Sequence, residues 1–192
     1  MTATEAKRTA TVTRPPRCEI KMNIEEADLI EPSDELKSEL LAMAEEYAAA
    51  GDERYREVIE NFDGYMRGLA RYAAGDNLPS GHVPNSTFFL VHQGKIVGHS
   101  ALRHRLTPAL EHEGGHIGYD IRPGARRRGY GTLILALTLK RARSLGLARA
   151  LLTCDTDNTA SARIIEKNGG ALVARVVSQR SGKLISQYWI DL

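Results

Sequence analysis

A basic run punctuated by glycines, Arg126-Arg127-Arg128-Gly129-Tyr130-Gly131-Thr132, carries the clearest chemistry in the sequence. It follows a short apolar stretch, residues 116–121, that reads as a strand. It precedes Leu133, Ile134, Leu135, Ala136, Leu137 and Leu139, which read as a buried helix. A helix start leaves backbone N–H groups unpaired and carries the positive end of the macrodipole. Gly129 and Gly131 lack a Cβ, so an anion can approach those N–H groups closely. The three arginines add charge and forked donors suited to phosphate. Together these residues describe a pyrophosphate cradle.

The common nucleotide patterns do not fit it. A P-loop needs a lysine that this run lacks. A dinucleotide fingerprint needs a third glycine where Thr132-Leu133-Ile134 supplies none. The order Arg126-x-x-Gly129-x-Gly131 resembles the Gln/Arg-x-x-Gly-x-Gly/Ala signature of the GNAT superfamily of N-acetyltransferases. Two further stretches extend the resemblance. Residues 116–123, His-Ile-Gly-Tyr-Asp-Ile-Arg-Pro, resemble the family's fourth strand, Glu-Ile-Gly-Tyr-x-x-x-Pro. In that family the strand's backbone takes the pantetheine arm as an added strand, and Ile121 and Arg122 hold the matching positions. Residues 157–170 resemble the later motif Asn-x-x-Ser/Ala-x-x-x-Tyr-Glu-Lys-x-Gly-Phe, in which Asn158 and Ser161 match positions that contact the cofactor arm and phosphates. The likeness extends to a subgroup of predicted acetyltransferases whose substrate is unassigned.

The resemblance implies transfer of an acetyl group from acetyl-CoA, or another acyl-CoA, to an amine by direct attack in a ternary complex, with no metal. It implies a cofactor set of Ile121, Arg122, Arg126, Arg127, Arg128, Gly129, Tyr130, Gly131, Thr132, Asn158 and Ser161. Two departures matter. The tyrosine that serves the family as general acid is Ile165 here, and isoleucine moves no proton. The glutamate that opens the fourth strand is His116, an imidazole titrating near neutrality and therefore the expected base. Glu113 and Asp120 are the fallbacks. Arg103 and His104, on the neighbouring strand, are the residues expected to bind a polar or acidic acceptor. Cys154 has no histidine placed to activate it and reads as a packed thiol.

These residues need a scaffold to bring them together. Apolar spacing predicts a helix from Ser33 or Asp34 to Gly51 and a second over residues 53–74, broken near Asp63-Gly64. An opening strand is expected around residues 19–24 or 27–30. Residues 87–92 and 95–105 read as a hairpin around Gln93-Gly94, and residues 107–115 as a polar loop. The cradle's helix closes at Gly146, followed by a strand at 150–154, a helix from Asn158 to Asn168, and a final hairpin over 171–190. This is a single mixed α/β domain: a mostly antiparallel, GNAT-like central sheet flanked by helices. Residues 1–17 are expected to be a disordered tail, with the acyltransferase domain over 18–192.

Composition narrows the alternatives. With 192 residues, 42% hydrophobic and 26% charged, the chain suits one globular domain. A net charge of +2 does not suggest a nucleic-acid binder. Two distant cysteines suit a reducing cytoplasm, and no apolar run reaches the ~20 residues that span a membrane. The acceptor is a small-molecule or peptide amine, and a homodimer stays open. The rival readings are a donor carried on acyl carrier protein and a non-catalytic module binding CoA or RNA phosphates.

Overall fold

The computed structural model describes residues 24–192. The expected tail, Cys18 and residues 19–23 of the first candidate strand lie outside the described residues, and Ile24 begins a 3₁₀ turn, Ile24–Glu26. The alternative opening strand is present as β1 (Asp28–Ile30), with Leu29 buried.

Three helices follow. A 3₁₀ turn, Asp34–Leu36, leads into α1 (Lys37–Ala49), and Ser33 makes no side-chain cap bond there. A second 3₁₀ turn, Glu53–Tyr55, leads into α2 (Arg56–Glu60), then α3 (Phe62–Ala74). The break falls at Asn61 rather than at Asp63-Gly64. Asn61 leaves helical geometry, and its side chain accepts the Gly64 N–H at 3.0 Å, capping the restarted helix. Strands β2 (Asn85–His92) and β3 (Lys95–Arg103) form the hairpin. Gln93 and Gly94 both have positive φ, 50° and 73°, as a tight hairpin turn of the primed type requires.

The expected polar loop holds a short helix, α4 (Pro108–His112). Thr107 caps it by accepting the Leu110 N–H, and Pro108 sits in its first turn. Then come β4 (Ile117–Ile121), α5 (Tyr130–Ser144), β5 (Arg149–Asp155), α6 (Thr159–Lys167), β6 (Ala171–Val177) and β7 (Leu184–Asp191).

The strands form two antiparallel sheets, β1-β2-β3-β4 and β5-β7-β6. They meet where the His116 N–H donates to the Leu151 carbonyl at 2.7 Å, at the start of β4. Beyond that point no ladder joins β4 to β5. The backbone of β4 facing the gap is therefore open to another extended chain.

Each face of the first sheet buries its own core. On one face α5 packs Tyr130, Ile134 and Leu135 with Phe88, Leu90, Leu102 and Ile117. A buried Ser100–Thr138 hydroxyl pair, 2.7 Å apart, fixes α5 on β3. On the other face α1–α3 bring Leu40, Met43, Tyr47, Tyr55 and Val58 against Phe89 and Ile96. Alternation along β4 follows this division. Ile117, Tyr119 and Ile121 join the α5 side, and Asp120 points to Tyr47 and Tyr55.

Candidate active site

A cleft of about 690 Å³ opens along the end of β4, between the cradle and the start of α6. Ile121, Arg126, Arg127, Gly129, Gly131 and Thr132 line it from the cradle, and Asn158 and Ser161 line it from α6. Gly129 has φ +93°, a left-handed conformation that a side chain would strain. Its carbonyl accepts the Thr132 and Leu133 N–H groups at 3.1 and 3.3 Å. The first-turn N–H groups of Tyr130 and Gly131 have no acceptor in the helix, so the positive end of α5 faces the cleft. Arg126 donates from Nε to the Ile121 carbonyl at 3.0 Å, which holds its guanidinium across the end of β4. Asn158 accepts the Ser161 N–H and caps α6. Gly131 has a packing role as well, since a Cβ there would meet Ile164 Cδ1 at 2.6 Å.

Three residues of the expected cofactor set stand differently. The Arg122 side chain, 17% exposed, is bound to Glu46, Glu39 and the Ile96 carbonyl, so it ties α1 to the sheet and is not part of the cleft wall. Glu46 also takes the Gly124 N–H at 2.6 Å. Burial raises the Glu46 pKa, but the Gly124 and Arg122 hydrogen bonds outweigh this and hold it below the usual range. Tyr130 lines the cleft, yet its hydroxyl meets His92 Nδ1 at 2.6 Å in the core. Its accessible contribution is therefore backbone. Arg128 is exposed and off the cleft wall.

The hydrogen bonds of His116 do not favour the expected role as base. His116 is only 7% exposed and does not line the cleft. Its Nδ1 accepts the Leu151 N–H at 3.0 Å. An accepting ring nitrogen carries no proton, so the proton of the neutral ring sits on Nε2, which then has no lone pair to offer. Burial, with Arg103 and Arg149 nearby, pushes its pKa down and keeps it neutral. His116 joins the two sheets, and its ring lies tilted beside that of Trp189, with centroids 6.1 Å apart.

The fallbacks are also engaged. Asp120 does line the cleft, but it receives the Tyr47 hydroxyl at 2.6 Å and the Tyr55 hydroxyl at 2.9 Å. His99 lies at 3.4 Å and Arg54 at 3.7 Å. Burial alone would raise its pKa. The His99, Tyr47 and Tyr55 contacts outweigh that and hold the carboxyl below its ordinary range, where it is a poor proton acceptor. Glu113 accepts the Ser178 hydroxyl at 2.9 Å. The Cys154 thiol is pushed up by burial, then by Asp155 and Glu166, which disfavours a thiolate nucleophile. His104 bonds Ser86 at 2.8 Å, outside the cleft. Arg103 lines a separate cavity.

Two polar cleft residues escaped the sequence reading. Arg54 arrives from the turn before α2 and bridges Asp52 and Asp120, with nothing in its local sequence to announce it. Tyr119 was within reach, because alternation places it on the same face as Ile121. Its hydroxyl is buried and, among the described residues, meets no group in hydrogen-bonding geometry, although the Ser161 hydroxyl lies close enough to bias it. Burial pushes its pKa up to about 12, and the neighbouring Ser161 tempers the shift. Ile165 is buried in the core against Gly170 and presents nothing to the cleft.

The acetyltransferase (GNAT) domain family matches residues 41–171. The chain belongs to the GNAT acetyltransferases. It is therefore an acyl-CoA-dependent N-acetyltransferase by family, and the cradle, the open edge of β4 and the α6 cap suit acetyl-CoA in residue type and placement. No curated protein matches the sequence. Among solved structures, the fold is similar to the ribosomal L7/L12 alpha-N-protein acetyltransferase RimL in complex with coenzyme A. That match has a TM-score of 0.66 and 15% identity, over 87% of this chain and 94% of that one. It is also similar to Mycobacterium smegmatis RimJ in complex with CoA-disulfide, with a TM-score of 0.67 and 16% identity, over 86% and 81%. A third is the microcin C7 self-immunity acetyltransferase MccE with acetyl-CoA and AMP, with a TM-score of 0.65 and 14% identity, over 88% and 93%. Among the described residues no group of three His, Cys, Asp or Glu could hold a metal ion, and no helix is long and apolar enough to cross a membrane.

Proposed function

We propose that this GNAT enzyme moves an acetyl group from acetyl-CoA directly to an amine within a ternary complex. The observation that carries the reading is the cleft along the end of β4, ending on the unpaired N–H groups of α5 beside Arg126 and Arg127. These donors, with Thr132, Asn158 and Ser161, would hold the pyrophosphate and the adjoining arm. The β4 backbone up to Ile121 would bind the pantetheine as an added strand. Acetyl-CoA supplies an acyl group already activated as a thioester.

The chain's own residues bind, orient and stabilise charge. The C–N bond forms as the C–S bond breaks, the amine loses a proton and the sulfur gains negative charge. Tyr119 offers a buried, unpartnered O–H in the cleft wall. With its pKa at about 12 it keeps that proton at neutral pH. It therefore acts as a hydrogen-bond donor to the developing charge, with net protonation from solvent. His116 and Asp120 are held in the wrong states to take the amine proton, so that proton leaves to water.

Direct attack is favoured over a covalent enzyme intermediate because the Cys154 thiol is held protonated. The test is equilibrium binding and turnover. Acetyl-CoA should raise the thermal midpoint, and mass spectrometry should show one acetyl group on an amine and none on the protein. Turnover only with acyl carrier protein, or tight salt-dependent binding to RNA with none to CoA, would overturn the donor assignment.

A further inference from the structure

At the far end of β4 from the cradle lies a second cavity, of about 270 Å³, enclosed by α3, the start of β2, α4 and the β6–β7 turn. Arg103 and Arg180 both line it. Arg103 is half-buried, and no carboxylate among the described residues pairs with either arginine. Arg103 Nη1 donates to the Gly114 and Gly115 carbonyls at 3.2 and 2.9 Å, which fixes its guanidinium plane. An arginine has five N–H donors. The three on Nε and Nη2 have no acceptor among the described residues. Arg180 is also placed deliberately. The Ser178 hydroxyl donates to Glu113 at 2.9 Å, and its oxygen accepts the Arg180 N–H at 3.2 Å.

Arg103, half-buried, is partly desolvated and is repelled by the like charge of the exposed Arg180. Such an arrangement is stable when an anion completes it. Burial first, and then Arg180, lowers the pKa of Arg103, in keeping with a missing counter-charge. Asn85, on the same cavity, has a buried Oδ1 with no partner. The cavity thus offers forked N–H donors at one side and an unsatisfied amide at another. Its position ties it to the reaction, because the Arg103 backbone N–H donates to the His116 carbonyl at 2.8 Å, immediately before β4.

We propose that the Arg103–Arg180 cavity binds a carboxylate of the acceptor, so that the enzyme acts on amines that also carry an acid group. This deepens the acyltransfer reading and rests on it for the amine. The planar guanidinium suits a planar carboxylate, and Asn85 Oδ1, which only accepts, would take an N–H of the acceptor rather than its carboxylate. The anion would anchor the acceptor at one end of β4 while the phosphates of the donor are held at the other.

The experiment compares matched acceptors that keep the amine and differ in whether they carry a carboxylate: β-alanine with β-alaninamide, and a short peptide acid with its amide. Acetyl transfer should favour the acid by roughly tenfold to a hundredfold in kcat/KM, mainly through KM. Arg180→Gln and Arg103→Gln should each remove that preference by raising KM for the acid, and acetyl-CoA stabilisation should be kept. Arg180 is exposed, so its variant tests the idea even if Arg103→Gln folds poorly. A second arm needs no acyl transfer: glutarate, which has no amine, should bind the wild type and not Arg180→Gln. Equal rates for acid and amide, with no glutarate binding, overturn the proposal. Glutarate binding without any turnover of acetyl-CoA would overturn the acyltransfer reading and leave the anion site standing. Inorganic phosphate binding more tightly than glutarate would overturn the carboxylate assignment.

Discussion

His116 Nδ1 accepts the Leu151 N–H at 3.0 Å while the His116 N–H donates to the Leu151 carbonyl at 2.7 Å. This reciprocal pair fastens the two sheets at the start of β4. His116→Ala would leave the Leu151 N–H buried without an acceptor, at a cost of about 1–3 kcal/mol. His116→Asn, whose side-chain oxygen can still accept, should recover part of the loss. The expected outcome in chemical denaturation is a lower midpoint for the alanine variant. Its kcat, measured below the transition with saturating acceptor, should keep the wild-type pH profile. A loss of a hundredfold or more in kcat with unchanged stability would restore His116 as the base.

The same burial makes stability depend on pH. The folded-state pKa of His116 is lowered, so below its unfolded value near 6.5 the unfolded chain binds more protons than the folded one. Stability should be full above that pH and fall as the pH drops toward the folded value. His104, also lowered by burial, acts in the same direction. Thermal midpoints from pH 8 to pH 5 should therefore decline, and His116→Asn should flatten the decline without abolishing it. A rise in stability on acidification through this range would contradict the buried neutral imidazole.

The cradle was legible because its strand, loop and helix are contiguous, so residues 116–132 carry the whole pattern. Asn158 as a helix cap was legible for the same reason. His116 was not, because its partner lies 35 positions away and only that contact fixes the tautomer. Arg122 was misleading in the same way, with its acid partners on α1. Tyr47, Tyr55 and Arg54 converge on Asp120 from the N-terminal helices, where apolar spacing predicts burial and says nothing of a shared carboxylate. The helix break shows a smaller gap of this kind, since the Asn61 cap sets it ahead of the expected Asp63-Gly64.

Phosphate binding can be separated from packing at the cradle. A Gly131 substitution would confound the two, because Ile164 Cδ1 occupies the space a Cβ needs. Arg126→Ala and Arg127→Ala avoid this, since both side chains are exposed. Each should weaken CoA binding roughly tenfold, the scale of one charge-assisted hydrogen bond, and leave pantetheine binding unchanged. The wild-type affinity for CoA should fall with added salt more steeply than that for pantetheine. Calorimetry on the three proteins with both ligands reads this directly. Equal losses for CoA and pantetheine would remove the pyrophosphate from the cradle.

Tyr119 is the sharpest test of the chemistry. Its ring packs with Ile121 against the α5 core, while its hydroxyl meets no acceptor although it is buried in the cleft wall. A buried donor without a partner costs stability, so Tyr119→Phe should leave the protein as stable as the wild type or more so. If the hydroxyl stabilises charge that develops only during transfer, the same substitution should lower kcat about a hundredfold and leave acetyl-CoA binding intact. Because the pKa is held at about 12, Tyr119 should contribute no alkaline limb to the kcat profile below about pH 10. Stopped assays of thiol release from pH 6.5 to pH 10, together with unfolding curves for both proteins, separate the outcomes. Unchanged kcat in a stable Tyr119→Phe variant would leave the hydroxyl without a catalytic part and pass stabilisation of the leaving sulfur to solvent.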